Sequence, residues 1–233
     1  GKAPVAIFSA PAGTAVGPDP APARKKTLSP ISQMNSIYHA TRCRFCYKNQ
    51  CSTHIITNAL HVAKKDWADI KVVSTGGGAA GIACLNMLLK LGVKRENVWL
   101  CDIHGLVYEG RTEDMNDQKA AFAQPTDLRT LDEAIDGADL FLGLSGPNVL
   151  KPEMVRKMAA RPIIFALANP NPEITPELAR AASPDALIAT GRSDFPNQVN
   201  NVLCFPFIFR GALDVGATEI NDEMEIACVE GIA

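Results

Sequence analysis

Residues 74–82 read Ser-Thr-Gly-Gly-Gly-Ala-Ala-Gly-Ile, which sets Gly76, Gly78 and Gly81 at G-x-G-x-x-G spacing between two segments of opposite character. Upstream, residues 70–74 form a short apolar run; downstream, residues 79–91 are rich in Ala and Leu and are followed by Gly92. These patterns predict a buried strand, a glycine turn and a helix that stops at Gly92. In such a unit Gly76 permits the sharp turn, Gly78 omits a side chain where a diphosphate approaches, and Gly81 lets the helix pack closely on the strand. The free amides of Ala79 and Ala80 and the positive end of the helix would then face the phosphates. A tight turn without a ligand can use the same glycines, so context has to decide. Asp102 supplies it, lying about 20 residues further on at the end of the next apolar run. Its carboxylate can accept hydrogen bonds from an adenosine ribose, as NAD requires, or simply cap the following turn. A 2′-phosphate would need a cation instead, and Arg111 and Lys119 follow in the same connection.

The strand and helix rhythm continues to the end of the chain. Apolar runs predict strands at 98–102, 138–142, 162–166 and 186–190, and helical spacing predicts helices at 55–68, 128–135, 151–160, 202–215 and 221–232. Strands that are apolar throughout and alternate with helices imply an α/β fold, a Rossmann-like doubly wound parallel sheet with helices on both faces. Ligands of such sheets bind beyond the carboxyl ends of the strands. Gly76, Asp102, Ser145, Asn169 and Thr190 all fall at or just after such an end. Residues 1–53 lack this rhythm and are expected to be disordered or unplaced, with Pro11, Pro18, Pro20, Pro22 and Pro30 breaking regular structure. Residues 54–233 are expected to form the dinucleotide-binding domain.

A formal net charge of −2 over 233 residues gives no electrostatic case for a nucleic acid or an anionic membrane as partner. No segment approaches the roughly 18 consecutive apolar residues of a membrane span, so a soluble, cytoplasmic protein is expected. The chain opens without a secretory h-region, although its Ala, Pro and basic residues leave an organelle-targeting remnant open. Of seven cysteines, Cys84, Cys101, Cys204 and Cys228 sit singly in apolar patterns and read as buried thiols. Cys43, Cys46 and Cys51, near His39 and His54, have enough sulfur and nitrogen for zinc but lack the paired spacing of a strong motif. Unstructured thiols are the plainer reading.

From about residue 70 onward, five blocks together resemble the NAD(P)-binding domain of malic enzymes, particularly the bacterial NADP-dependent type. They are residues 74–81, residues 102–111 (Asp-Ile-His-Gly-Leu-Val-Tyr-Glu-Gly-Arg), residues 164–170 (Ile-Phe-Ala-Leu-Ala-Asn-Pro), residues 189–194 (Ala-Thr-Gly-Arg-Ser-Asp) and residues 196–202 (Pro-Asn-Gln-Val-Asn-Asn-Val). The resemblance implies oxidative decarboxylation of malate to pyruvate with reduction of NADP, or alternatively NAD, assisted by Mg or Mn, in a homo-oligomer. By the same resemblance, Gly77, Gly78, Ala79, Ala80 and Gly81 hold the cofactor phosphates; Gly76, from its spacing, and Asp102 and Ser145, from their places at strand ends, are further cofactor-binding candidates. Asn169 and Asn201 reach the nicotinamide and the substrate carboxylate, and Lys119 takes the 2′-phosphate. Read from the residues alone, a neutral amide can donate to a carboxylate, but Asn169 before Pro170 can also be a turn and Asn200-Asn201 a helix cap. Arg192 and Asp194 suit a local ion pair as well as a substrate contact.

The sequence departs from the family where the chemistry needs a general base, a general acid and acidic metal ligands. The family's Asp-rich segment ahead of the first helix is replaced by Tyr47-Lys48-Asn49-Gln50-Cys51-Ser52-Thr53-His54, and no carboxylate occurs between Leu28 and Lys65. Tyr38, Tyr47 and Lys48 are not credible stand-ins for a catalytic pair. The expectation is therefore a dinucleotide-binding domain, incomplete at its carboxyl end, with no catalytic or metal-binding residue of its own and no malate turnover by this chain alone. A non-catalytic NADP(H)-binding module, or an interaction partner of an intact subunit, is the alternative. Another dehydrogenase on this fold, of the amino-acid or methylene-tetrahydrofolate type, is disfavoured by the two asparagine blocks.

Overall fold

The computed structural model describes residues 46–200, 204 and 206–233, with side chains from Ser52 onward. Helix α1 (Cys46–Ala63) precedes the first strand, β1 (Val72–Thr75), which leads through the glycine turn into α2 (Ala79–Lys90). The chain continues through β2 (Val98–Asp102), β3 (Gly105–Leu106), α3 (Asp117–Ala120), α4 (Leu131–Ala134), β4 (Leu140–Gly143) and α5 (Pro152–Lys157). It ends with β5 (Ile163–Ala166), α6 (Pro176–Ala182), β6 (Leu187–Thr190), α7 (Phe207–Asp214) and α8 (Asp222–Ile232). Helix α1 begins inside the segment expected to be unplaced, and α3 and α6 were not expected from periodicity. Both missed helices are too short to show a 3.6-residue repeat. Their signals are caps instead: Asn116 accepts from the Lys119 amide, and Thr175 caps a helix that starts with Pro176.

The six strands form one sheet in the order β3-β2-β1-β4-β5-β6. Strand β1 pairs in parallel with both β2 and β4, β4 with β5, and β5 with β6. The sheet thus reverses direction of growth at β1, and the doubly wound architecture is present. One edge departs from an all-parallel sheet, because β3 runs antiparallel to β2. Only Ile103 and His104 separate those two strands. A parallel crossover needs a dozen or more residues, whereas two suffice for a hairpin.

Consecutive strand residues feed two separate cores, as a period of two requires. Val72, Leu140, Leu142, Ile163 and Phe165 face one core with Ile56 and Leu60 of α1, Leu85 of α2 and Ile208 of α7. Val73, Phe141, Ile164 and Ile188 face the other with Ala134 of α4, Val155 of α5 and Ala179 of α6. Burial on both faces is why the strands read as unbroken apolar runs. Packing on both sides fixes the sheet, so the strand ends are presented as a rigid row. Among the described residues no helix is long and apolar enough to cross a membrane.

Candidate functional site

Helix packing sets the glycine turn. Gly76 adopts φ +105, and a β-carbon there would lie 2.5 Å from the Leu144 carbonyl oxygen. One at Gly81 would overlap the Gly76 carbonyl oxygen, so α2 closes against the turn only because that position is glycine. Gly78 differs from both. It is the N-cap of α2 with φ −80, has no side-chain cap, and would place a β-carbon in open space. The structure therefore does not need a glycine at 78, and the free face there suits an approaching diphosphate, with the Ala79 and Ala80 amides behind it. Gly77 faces the Lys119 side chain, whose Cε would lie 2.8 Å from an added β-carbon.

At the end of β2 the Asp102 carboxylate is buried and fully engaged. Arg111 contacts its two oxygens at 2.7 and 2.8 Å, Lys119 donates to one at 2.9 Å, and the His104 amide to the other at 2.9 Å. Burial by itself would raise this carboxyl's pKa, but the hydrogen bonds from Lys119, Arg111 and His104 hold it below the ordinary aspartate value. Arg111 is held in turn by the carbonyls of Glu113, Gly105 and Leu106. Lys119 directs its ammonium to Asp102 Oδ2, to the Asp114 carbonyl at 2.7 Å and to Asp114 Oδ2 at 2.6 Å. Burial opposes the charged amine, yet its bonds to Asp114 and Asp102 raise its pKa. Thus Asp102, read from the sequence as a ribose acceptor or a cap of the following turn, caps that turn through the His104 amide and also organises two cations beside the phosphate loop. Asp114, absent from the sequence expectations, is the exposed member of the cluster, with 58% of its side chain accessible.

The loops after β4, β5 and β6 complete the row. The Ser145 hydroxyl lies 2.9 Å from Thr75 Oγ1, which ties the β4 loop to the end of β1. Glu173, fully buried and also missed from sequence, accepts from the Ser145 amide at 3.0 Å and the Ala168 amide at 3.1 Å. It occupies the space above Gly143, where any β-carbon would collide with its carboxylate. One acidic side chain thereby fixes the two loops that carry Ser145 and Asn169. Nothing in the Asn169-Pro170-Asn171-Pro172-Glu173 run distinguishes it from an exposed loop acid. Asn169 packs against Gly191 at the end of β6. Arg192 forms a forked pair with Asp194 at 2.7 and 2.5 Å and donates to the Pro170 carbonyl at 2.9 Å, joining the β5 and β6 loops. Of its two sequence readings, the local ion pair is what the geometry contains.

A polar cavity of about 110 Å³ opens between these loops and α1, lined by Ser52, Leu167, Asn169, Gly191, Gln198, Val199 and Asn200. Ser52 Oγ is the one buried side-chain nitrogen or oxygen without a hydrogen-bond partner among the described residues. A small polar group entering the cavity would meet this hydroxyl and the Asn169 amide. Asn201, Tyr38, His39 and Cys43 lie outside the described residues, as do the side chains of Cys46, Tyr47, Lys48 and Cys51. Among the described residues no three His, Cys, Asp or Glu side chains are grouped to hold a metal ion.

Comparison with known proteins places this arrangement in context. The family model described as "Malic enzyme, NAD binding domain" matches residues 52–233. The NAD-dependent malic enzyme of Rhizobium meliloti is 61% identical over 178 residues, covering 76% of this chain and 23% of that protein. The NADP-dependent malic enzyme of Salmonella typhimurium is 60% identical over 183 residues, covering 78% of this chain and 24% of that protein. The chain thus spans about a quarter of the length of these relatives. Among solved structures, the NAD-dependent malic enzyme of Thermotoga maritima superposes with a TM-score of 0.74 at 43% identity, over 79% of this chain and 49% of that one. The malic enzyme of Entamoeba histolytica gives the same TM-score at 36% identity, over 79% of this chain and 40% of that one.

Proposed function

The chain belongs to the malic enzyme family, whose NAD-binding domain it carries, and from that premise we propose that it binds NADP(H) across the carboxyl ends of β1 and β2 for the oxidative decarboxylation of malate to pyruvate. The observation that carries the reading is the open face at Gly78, adjoining a Gly77 that packs on the buried Lys119, at a residue the fold itself does not require to be glycine. The cofactor, when bound, accepts the hydride. Gly76 to Gly81 hold its diphosphate through backbone amides, and Ser145 and Asn169 border the nicotinamide end from loops that Glu173 fixes. Asn169, together with Asn201, donates to the substrate carboxylate.

Identity does not decide between the two cofactors, because an NAD-dependent and an NADP-dependent relative match almost equally well. The cations favour NADP. A 2′-phosphate can replace the exposed Asp114 carboxylate on Lys119, exchanging one anion for another without moving the buried Asp102. The second reading, carried from the sequence, is a dinucleotide-binding module without turnover. No step through a metal is assigned to these residues.

Titration of the chain with NADPH and NADH, followed by cofactor fluorescence, tests the binding proposal. Lys119→Ala is expected to weaken NADPH about tenfold or more, the cost of one lost charged hydrogen bond, and NADH by much less. Equal losses for the two would remove Lys119 from 2′-phosphate recognition, and no binding of either at millimolar concentration would overturn the site. Malate-dependent NADP reduction with Mn, measured on the same chain, separates the enzyme from the module.

A further inference from the structure

Helix α8 brings a second chemistry into view, away from the glycine turn. Cys228 on α8 and Cys204, at the entrance to α7, place their Sγ atoms 3.2 Å apart. They are 24 residues apart in sequence, so the fold and not local spacing makes the pair. Cys204 is fully buried, and its carbonyl accepts from the Phe207 and Ile208 amides, which anchors it at the first turn of α7. Cys228 is only partly buried, at the edge of the core that α1, α2 and α7 share. We propose that Cys204 and Cys228 form a redox-active dithiol, a modification site at which a low-molecular-weight disulfide drives formation of an intrachain Cys204–Cys228 disulfide.

The asymmetry of the pair assigns the roles. Cys228 is the reachable sulfur, and the hydrogen bond from the Cys204 thiol lowers its pKa against the opposing effect of burial, which favours the attacking thiolate. The Cys228 thiolate attacks one sulfur of the small disulfide. The S–S bond breaks, one small thiol departs with a proton, and a mixed disulfide remains on Cys228. Cys204 then attacks Cys228 Sγ, and its proton leaves with the second small thiol. The two protein thiols lose two electrons in all, and one small disulfide is reduced to two thiols. Of the other cysteines whose side chains are described, Cys84 and Cys101 do not compete: both are buried, and burial, with the neighbouring Asp102 charge, pushes the Cys101 thiol up to about 12. Thiols that pair reversibly in this way are the form disulfides usually take in reducing compartments. The bond would join α8 to the entrance of α7.

The test is peptide mapping of the full chain after incubation with oxidised glutathione, with free thiols alkylated at quench. Trypsin releases residues 193–210 and 211–233 as the two cysteine-bearing peptides. The expected product is these peptides linked to each other, two hydrogens lighter than their sum and separated again by dithiothreitol. In Cys204→Ser, Cys228 should instead accumulate as a stable glutathione adduct. Two fully alkylated peptides from the unsubstituted chain, or a persistent glutathione adduct on its Cys228, would overturn the proposal. The linked form should also melt higher than the reduced form by on the order of 5 °C, since the bond closes a loop of the unfolded chain.

Discussion

At the scale of single residues, the glycine turn separates two requirements that its spacing alone merges. Gly76 and Gly81 are demanded by backbone approach, and Gly78 by no contact among the described residues. Gly78→Val is therefore expected to lower the melting temperature by no more than about 2–4 °C, the cost of a poorer N-cap, while weakening NADPH by at least about tenfold, since its side chain would fill the phosphate face. A loss of folding, or unchanged affinity, would contradict this division. Asp102 makes the complementary case. Its carboxyl is held below the ordinary range, so its contribution to stability is complete above the unfolded-state pKa and is lost as pH falls through the lower folded-state value. Asp102→Asn is expected to cost about 3 kcal/mol near neutral pH, because Arg111 would stay buried without a carboxylate partner while Lys119 would keep only Asp114. Acid denaturation followed by circular dichroism should show a shallower dependence below about pH 4 in the variant.

At the scale of elements, the short helices rest on their caps. Helix α4 begins with a capping box in which Thr130 accepts from the Glu133 amide and the Glu133 carboxylate accepts from the Thr130 amide. Four residues cannot hold a helix by propagation alone, so Thr130→Ala should cost about 1 kcal/mol. That lowers the melting temperature by about 2–4 °C in a chain of this size, and an unchanged value in a calorimetric scan would assign the stability of α4 to its packing through Ala134. The elements also mark where sequence reading stops. Strands β1, β2, β4, β5 and β6 and helices α2 and α8 were legible because each has a continuous pattern long enough to resolve. Strand β3 was not, since two residues carry no period and its pairing depends on the hairpin at Ile103 and His104.

At the scale of the whole molecule, the site is a row of loops tied together by a few buried polar groups. Ser145 joins β4 to β1, Glu173 joins the β4 and β5 loops, and Arg192 joins β5 to β6. A ligand spanning that row bonds to loops that depend on both cores, so its binding energy should appear as global stability. NADPH at a hundred times its dissociation constant is expected to stabilise the fold by about 2.7 kcal/mol, which raises the melting temperature by about 5–10 °C. A single cooperative shift in differential scanning fluorimetry supports this coupling, and a shift confined to a partial transition argues against it.

The sequence by itself determined the doubly wound sheet, the glycine turn and the row of candidate residues at the strand ends. These follow from hydrophobic period and from glycines whose spacing repeats local backbone geometry, and both are written along the chain. Only the tertiary structure decided that Asp102 is engaged by Arg111 and Lys119, that Glu173 is buried beneath two loops, and that Cys204 meets Cys228. Each of those is a contact between residues distant in sequence or a change of burial. A charged or sulfur-bearing side chain reads the same in a sequence whether it meets water or another side chain; packing alone distinguishes the two.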